Sequence, residues 1–189
     1  MTPARLLPRL AAATAGLALV ASGLNLSGTT EAAPSAGLEQ PAGIALASSS
    51  STSFEKQVLS LVNKARAKKR KCGATTYKAA KPLKWNSKLA LAAERHSRDM
   101  STRDYFSHTG ENGSSPYSRI KATGYRYKAA GETLAAGYAT PSAVVNAWLK
   151  SPGHCKIVMS KSYTQVGIGY YSGGGTYRHY TGASFAKPR

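Results

Sequence analysis

The chain is poor in acidic residues: eight Asp and Glu stand against 26 Lys and Arg in 189 residues, for a formal net charge of +18 at pH 7. It has only two cysteines, which excludes a disulfide-dense scaffold and a cysteine-rich zinc module. Apolar residues still make up 42%, so the chain can form a packed core rather than remain disordered. The excess of positive charge predicts an anionic partner.

Long apolar runs are also scarce. One uncharged stretch runs from Leu10 to Leu24 behind two arginines. It is shorter than the roughly 20 residues of a bilayer span and typical of the apolar part of a secretory signal. We therefore predict a signal peptide over residues 1–33, with an undetermined cleavage site. The alternative is an uncleaved anchor. Since no second apolar span follows, we expect no transmembrane segment in the mature protein.

Residues 34–53 are rich in Ser, Ala and Pro and contain the serine run Ser48 to Ser51, which predicts a linker. The folded domain is then residues 54–189, an ordinary domain size. The charges before it cancel, because they are Arg5, Arg9, Glu31 and Glu39. The whole excess of positive charge therefore belongs to the domain.

The domain reads as helices first and strands last. Apolar residues recur at helical spacing from Phe54 to Ala65, from Leu89 to Met100 and from Val144 to Leu149, which predicts amphipathic helices. Pro116 and Gly124 bound a shorter one. Ser151-Pro152-Gly153 is expected to end the last helix and form a turn.

Alternation of large and small residues predicts a strand from Gln165 to Tyr171. The three glycines from Gly173 to Gly175 then turn the chain, and residues Tyr177 to Phe185 are expected to form the returning strand. The segment from Tyr125 to Tyr138 is ambiguous, with an early strand as one interpretation.

An ordered series of short motifs resembles the CAP superfamily, the SCP-like fold of cysteine-rich secretory proteins, antigen 5 and pathogenesis-related 1 proteins, in its bacterial secreted branch. Each motif is weak alone, but their order and spacing are specific. They are Val62-Asn63 with Arg66, Pro82 to Asn86, Tyr105 to Thr109, Gly131-Glu132, Ser151 to His154, and Tyr163 to Gly169.

The resemblance implies an α+β fold, a three-layer α-β-α sandwich of the CAP/SCP type. It also implies a secreted, extracellular protein, associated with the cell wall in one interpretation. By resemblance, His108, Glu132 and His154 match three members of the family's four-residue cleft of two histidines and two acids. We expect these three to share a binding cleft.

Two chemistries remain open for such a cleft. Two imidazoles and a carboxylate can hold a divalent metal such as zinc. They can equally serve as general acid and base, because histidine titrates near neutrality. The spacing of His108, Glu132 and His154 contains no metal signature such as H-x₃-H, so whether the protein is an enzyme stays undecided.

The chain departs from the family at the second acid. Trp148 is followed by Leu149, Lys150 and Ser151, with no carboxylate, and Gln165 stands at a later position that is often acidic in bacterial relatives. A neutral amide cannot act as a base. We therefore expect weaker metal binding than in relatives with both acids, and binding rather than catalysis.

Several other residues have simpler interpretations. His96 lies on the apolar stripe of its helix and is expected to be a hydrogen-bonded core histidine. Ser97 lacks the G-x-S-x-G context of a nucleophile. His179 is expected at the surface or in packing, and Trp85 and Trp148 as core anchors.

Cys72 and Cys155 are the only thiols. In an exported chain such a pair usually bonds, so we predict a disulfide next to His154. Two buried free thiols are the alternative.

Three functions remain open. The first is binding of a lipid, sterol or wall component. The second is metal-assisted hydrolysis by His108, His154 and Glu132, and the third is a structural or adhesive role in the cell wall. The positive charge predicts an anionic cell-wall polymer or an acidic lipid as partner, with a hydrophobic small ligand as a further one. Nucleic acid is not expected, since the chain is predicted to be exported and has no nucleic-acid-binding motif. We expect a monomer.

Overall fold

The computed structural model describes residues 53–189, so the predicted signal peptide and almost all of the linker lie outside the described residues. In chain order the elements are α1 (Ser53–Arg66), β1 (Arg70–Cys72), β2 (Thr75–Tyr77), β3 (Lys84–Trp85), α2 (Ser87–Thr102), α3 (Pro116–Ala122), β4 (Tyr127–Ala136), α4 (Pro141–Lys150), α5 (Pro152–Met159), β5 (Gln165–Ser172) and β6 (His179–Pro188). Within residues 53–189, no helix has the length and apolar character needed to cross a membrane.

The central sheet has the strand order β3-β5-β6-β4. Strand β6 is antiparallel to both β5 and β4, and the short β3 is parallel to β5. Strands β1 and β2 form a separate antiparallel hairpin. The segment from Tyr125 to Tyr138, which the sequence left ambiguous, contains strand β4. This strand lies at the edge of the sheet, where α3 contacts it from one face and α4 and α5 from the other.

Helices cover both faces of this sheet, which confirms the predicted α-β-α sandwich. Helix α2 packs on β5 and β6 with α3 beside it, while α1, α4 and α5 pack together on the other face. Successive side chains of β6 point to opposite faces of the sheet and so contribute to the core on each face. Phe185 packs in the cluster of Val58, Trp148 and Ile168, whereas Ala186 packs in the cluster of Leu89 and Ile120.

Two glycines let α2 lie unusually close to β5. A Cβ atom at Gly167 would stand 1.8 Å from the backbone nitrogen of Ala90, and one at Gly169 would stand 2.1 Å from that of Glu94. Any larger side chain would push the helix off the sheet. The Val-Gly-Ile-Gly pattern is thus a strand with one face in the core and the other against a helix backbone.

The motif at the end of α1 is structural. Arg66 is 1% exposed, and its guanidinium donates to the carbonyl oxygens of Lys81, Val158, Ser160 and Tyr163. Burial lowers the pKa of this side chain. The arginine therefore satisfies carbonyl groups where α5 ends and ties α1 to the loop that follows α5.

Ser151-Pro152-Gly153 ends α4 as predicted, since that helix stops at Lys150 with Ser151 as its C-cap. The turn predicted there is wrong, because a further helix, α5, begins at Pro152 and holds His154 in its first turn. Proline is favourable at the start of a helix, where its missing N–H has no partner to lose. The returning strand begins at His179 rather than Tyr177, because Arg178 has the left-handed φ of 58°.

Candidate functional site

Four polar side chains meet beside the edge strand β4. His108 comes from the loop between α2 and α3, and Arg119 from α3. Glu132 lies in β4, and His154 in the first turn of α5. The edge strand β4 thus lies between α3 on one face of the sheet and α5 on the other. We call this group the cleft.

Glu132 is the best-buried member of the cleft, with its side chain 4% exposed. One carboxylate oxygen, Oε1, accepts a hydrogen bond from Nδ1 of His108 at 2.8 Å. The other, Oε2, accepts one from Nη2 of Arg119 at 2.7 Å. A carboxylate removed from water needs such partners, because an unpaired buried charge is strongly destabilising. Glu132 is therefore held at both oxygens.

Arg119 also fixes the loop that carries His108. Its Nη2 donates to the carbonyl oxygen of His108 at 2.9 Å, and its Nη1 to that of Ser114 at 2.8 Å. The side chain is only 11% exposed. At the start of this helix, the backbone N–H of Ser118 donates a capping hydrogen bond to Ser115 Oγ. One guanidinium therefore connects α3, β4 and the loop.

The bond to Glu132 determines how His108 faces solvent. A carboxylate can only accept, so Nδ1 of His108 carries the proton it donates. In the neutral ring the lone pair is then on Nε2, the nitrogen that does not contact Glu132. The side chain is 53% exposed. His108 thus presents an oriented hydrogen-bonding atom outside the buried pair.

His154 lies beside His108, with ring centroids 6.0 Å apart and ring planes inclined at 61°. Burial lowers the pKa of His154, and the neighbouring His108 lowers it further, while Glu132 acts in the opposite direction. The first two causes favour the neutral form of His154, so the cleft offers this imidazole as a polar group.

The predicted disulfide is present between Cys72 and Cys155, with Cα atoms 5.5 Å apart. It joins β1 to α5 next to His154. Both cysteines are buried. The crosslink thus anchors the turn of helix that presents this histidine.

The donor set does not fit a three-ligand metal site. Residues 53–189 contain no group of three or more His, Cys, Asp or Glu side chains placed to hold a metal ion. Both oxygens of Glu132 already accept hydrogen bonds, one of them from a cation. A guanidinium at that carboxylate also disfavours a second cation there. His108, His154 and Glu132 therefore do not fit the zinc role that their residue types suggested.

His96 and Ser97 have structural roles. His96 is 2% exposed, and its Nε2 donates to the carbonyl oxygen of Ser107 at 2.8 Å, which steadies the residue before His108. Burial lowers its pKa, and Arg119 lowers it further. Ser97 is fully buried and donates to the carbonyl oxygen of Gly169 at 3.0 Å. It is not placed as a nucleophile.

Gln165 has a structural role. Its side-chain oxygen accepts hydrogen bonds from Asn86 Nδ2 at 3.1 Å and from Tyr125 Oη at 2.7 Å. The residue thus links the N-cap of α2 to the segment before β4. Because Gln165 is a neutral amide engaged in these two hydrogen bonds, it supplies no carboxylate to the cleft.

Arg119 is the member of the cleft that the sequence did not reveal. A buried acid requires a cation, but the domain has many lysines and arginines and the family motifs do not include this one. Its neighbour Ile120 marked only the apolar side of α3. The sequence offered only a general indication of such a partner. Glu132 lies in an otherwise apolar strand, and the chain is rich in arginine.

The fold and the cleft together define an α-β-α sandwich with paired histidines at the edge of its sheet. A family model for the cysteine-rich secretory protein family, CAP, matches residues 59–184. The chain belongs to this family. The predicted boundaries of the domain, 54–189, remain a prediction.

Two curated relatives come from Bacillus subtilis (strain 168). The uncharacterized protein YkwD is 37% identical over 128 residues, 68% of this chain and 46% of the relative. The uncharacterized membrane protein YlbC is 36% identical over 118 residues, 62% of this chain and 32% of the relative. The chain thus spans less than half the length of either relative.

Solved structures show the same fold. An extracellular protein with an SCP domain from Bacillus anthracis str. Ames aligns with a TM-score of 0.57 and 26% identity, covering 71% of this chain and 40% of that one. An outer surface protein from Borrelia burgdorferi aligns with a TM-score of 0.58 and 20% identity, covering 71% of this chain and 92% of that one.

Proposed function

We propose that this bacterial-type CAP domain acts outside the cell and binds a polar component of the cell wall through the cleft of His108, Glu132 and His154. The similar structures from Bacillus anthracis and Borrelia burgdorferi are described as extracellular and outer-surface proteins. The predicted signal peptide supports the same location.

The observation that supports binding is the fixed Glu132. Arg119 and His108 occupy its two oxygens, so the carboxylate orients the imidazole before any ligand arrives. Pre-organised groups lose little conformational entropy on binding. His108 is half exposed, so a ligand can contact it directly.

The groups around the cleft favour a polar ligand over a sterol or lipid chain. Imidazole nitrogens contribute directional hydrogen bonds, which an apolar chain cannot use. Phe106, two residues before His108, is 43% exposed, and its ring lies 5.8 Å from that of Tyr177. An exposed ring on the loop that carries His108 suits the apolar face of a sugar, and the imidazole suits its hydroxyls.

Retention on purified wall sacculi tests this proposal. We expect His108→Ala and Glu132→Gln to reduce retention at least about tenfold, or about 1.4 kcal/mol, which corresponds to the loss of one hydrogen bond to the ligand. His179→Gln is the matched control, because His179 bonds to Tyr170 on another part of the domain. Measuring at about 1 M salt, where the Debye length is about 3 Å, removes diffuse charge attraction. Equal retention by all variants would instead favour an adhesive role.

Hydrolysis is a second candidate because His108 is paired with Glu132 in the geometry of an oriented general base. The acceptor Nε2 could take a proton from water while the carboxylate stabilises the imidazolium. Release of soluble fragments from labelled sacculi tests this. We expect release by the wild type and none by His108→Ala. Release that persists in His108→Ala would eliminate this base.

A further inference from the structure

A second concave surface lies between the end of α3 and the start of β4. Its volume is about 660 Å³, and its lining includes Lys121, Arg126, Lys128, Arg189 and the rings of Tyr125 and Tyr127. None of the cleft residues His108, Glu132 and His154 lines it. We call it the basic depression.

The charges of the basic depression are uncompensated. Four lining residues are cations and none is Asp or Glu. The ion pairs among residues 53–189 involve Arg103, Arg119 and His108, and none of the lining cations. A fifth cation stands at the rim, because Lys88 Nζ donates to the carbonyl oxygen of Gly124 at 3.3 Å.

The floor of the depression is rigid, whereas its cations are exposed. Tyr125 is 6% exposed and is fixed by its hydrogen bond to Gln165. The backbone N–H of Arg189 donates to the carbonyl oxygen of Arg126 at 3.2 Å, which holds the two ends of the lining together. Lys121 Nζ lies 6.0 Å from the ring of Tyr127. The shape is thus set by buried contacts and not by the charges.

We propose that the basic depression binds an extended polymer of repeating phosphate or carboxylate groups, of the kind found in cell walls. The cations Lys121, Arg126, Lys128 and Arg189 contact successive anionic groups, and the half-buried ring of Tyr127 packs against the backbone of the polymer. This site is separate from the cleft and does not depend on the function proposed for it.

A polymer fits better than a single small anion because the cations are solvent-exposed and spread around an open depression. Each exposed ion pair is weak, but several on one chain add through effective concentration. A polymer also fits better than a membrane. A lipid surface is flat and favours protruding apolar side chains, whereas this surface is concave and its rings form the lining.

Two triple variants of equal charge test the site. Lys121→Gln/Arg126→Gln/Lys128→Gln removes three exposed cations of the depression. Lys64→Gln/Lys68→Gln/Lys69→Gln removes three cations at the end of α1. Binding is measured to polyglycerol phosphate, to polyglutamate and to vesicles of phosphatidylcholine and phosphatidylglycerol. The first two probes distinguish phosphate from carboxylate, and thermal unfolding checks that both variants fold.

We expect the depression variant to bind its preferred polymer at least about tenfold more weakly, and the α1 variant less than about threefold. The dependence of log affinity on log salt should fall by about two in the depression variant only. Equal losses in both variants would show diffuse attraction and overturn the proposal. Tighter binding to vesicles than to either polymer would also overturn it, as would unchanged binding by the depression variant.

Discussion

Replacing Arg119 with Met removes the cation that faces the buried Glu132 carboxylate. The two side chains are 11% and 4% exposed, so water cannot replace the lost partner. Breaking a buried pair costs about 3–5 kcal/mol. Since His108 remains bonded to the other oxygen, we expect the lower end, about 3 kcal/mol less free energy of unfolding.

Urea unfolding measures this change through the midpoint at constant m-value. Arg119→Met/Glu132→Met should be more stable than Arg119→Met alone, because no charge remains buried. Arg103→Met is the control, since Arg103 pairs with Asp99 and Glu111 on the exposed surface, and it should change stability far less. A loss below about 0.5 kcal/mol for Arg119→Met, or a less stable double variant, would refute the reasoning.

Three further changes have defined outcomes. Cys72→Ser opens a loop with a sequence separation of 83 and should lower the free energy of unfolding by up to about 4–5 kcal/mol in the chain-entropy model. It should also weaken binding that depends on His154. A wild-type unfolding midpoint that reductant does not shift would contradict this. Gly167→Ala should cost about 3 kcal/mol or more in urea unfolding, because its Cβ meets the backbone of Ala90, and a cost below about 1 kcal/mol would show that α2 can move away. Burial lowers the pKa of His96, so below its ordinary pKa of about 6.5 the unfolded state binds more protons and wild-type stability falls as pH drops. His96→Gln should have a flatter pH profile, and parallel profiles would contradict the assignment.

Periodicity predicted the elements whose residues face one core. Trp148 is fully buried, as its place on the apolar stripe indicated, and its indole N–H donates to the carbonyl oxygen of Leu134 at 3.0 Å. The short hairpin of β1 and β2 has no such pattern, since only one of its six residues, Cys72, is buried. Helix α5 was missed because Pro152-Gly153 resembles a turn, although proline also starts helices.

The cleft shows a different limit. Motif resemblance singled out His108, Glu132 and His154, and the structure brings all three to one edge of the sheet. The pairing of Glu132 with Arg119 depends on how α3 packs beside β4. No local sequence pattern records a contact between two elements that meet only in the folded chain.

The most direct measurement is the ¹⁵N spectrum of the histidine side chains with and without soluble wall fragments. The structure predicts that neutral His108 carries its proton on Nδ1 and that wall fragments shift its Nε2 signal, while His179 stays unchanged. A proton on Nε2 of His108 would contradict the role of Glu132. An unshifted Nε2 signal while the fragments bind would contradict the cleft as the binding site.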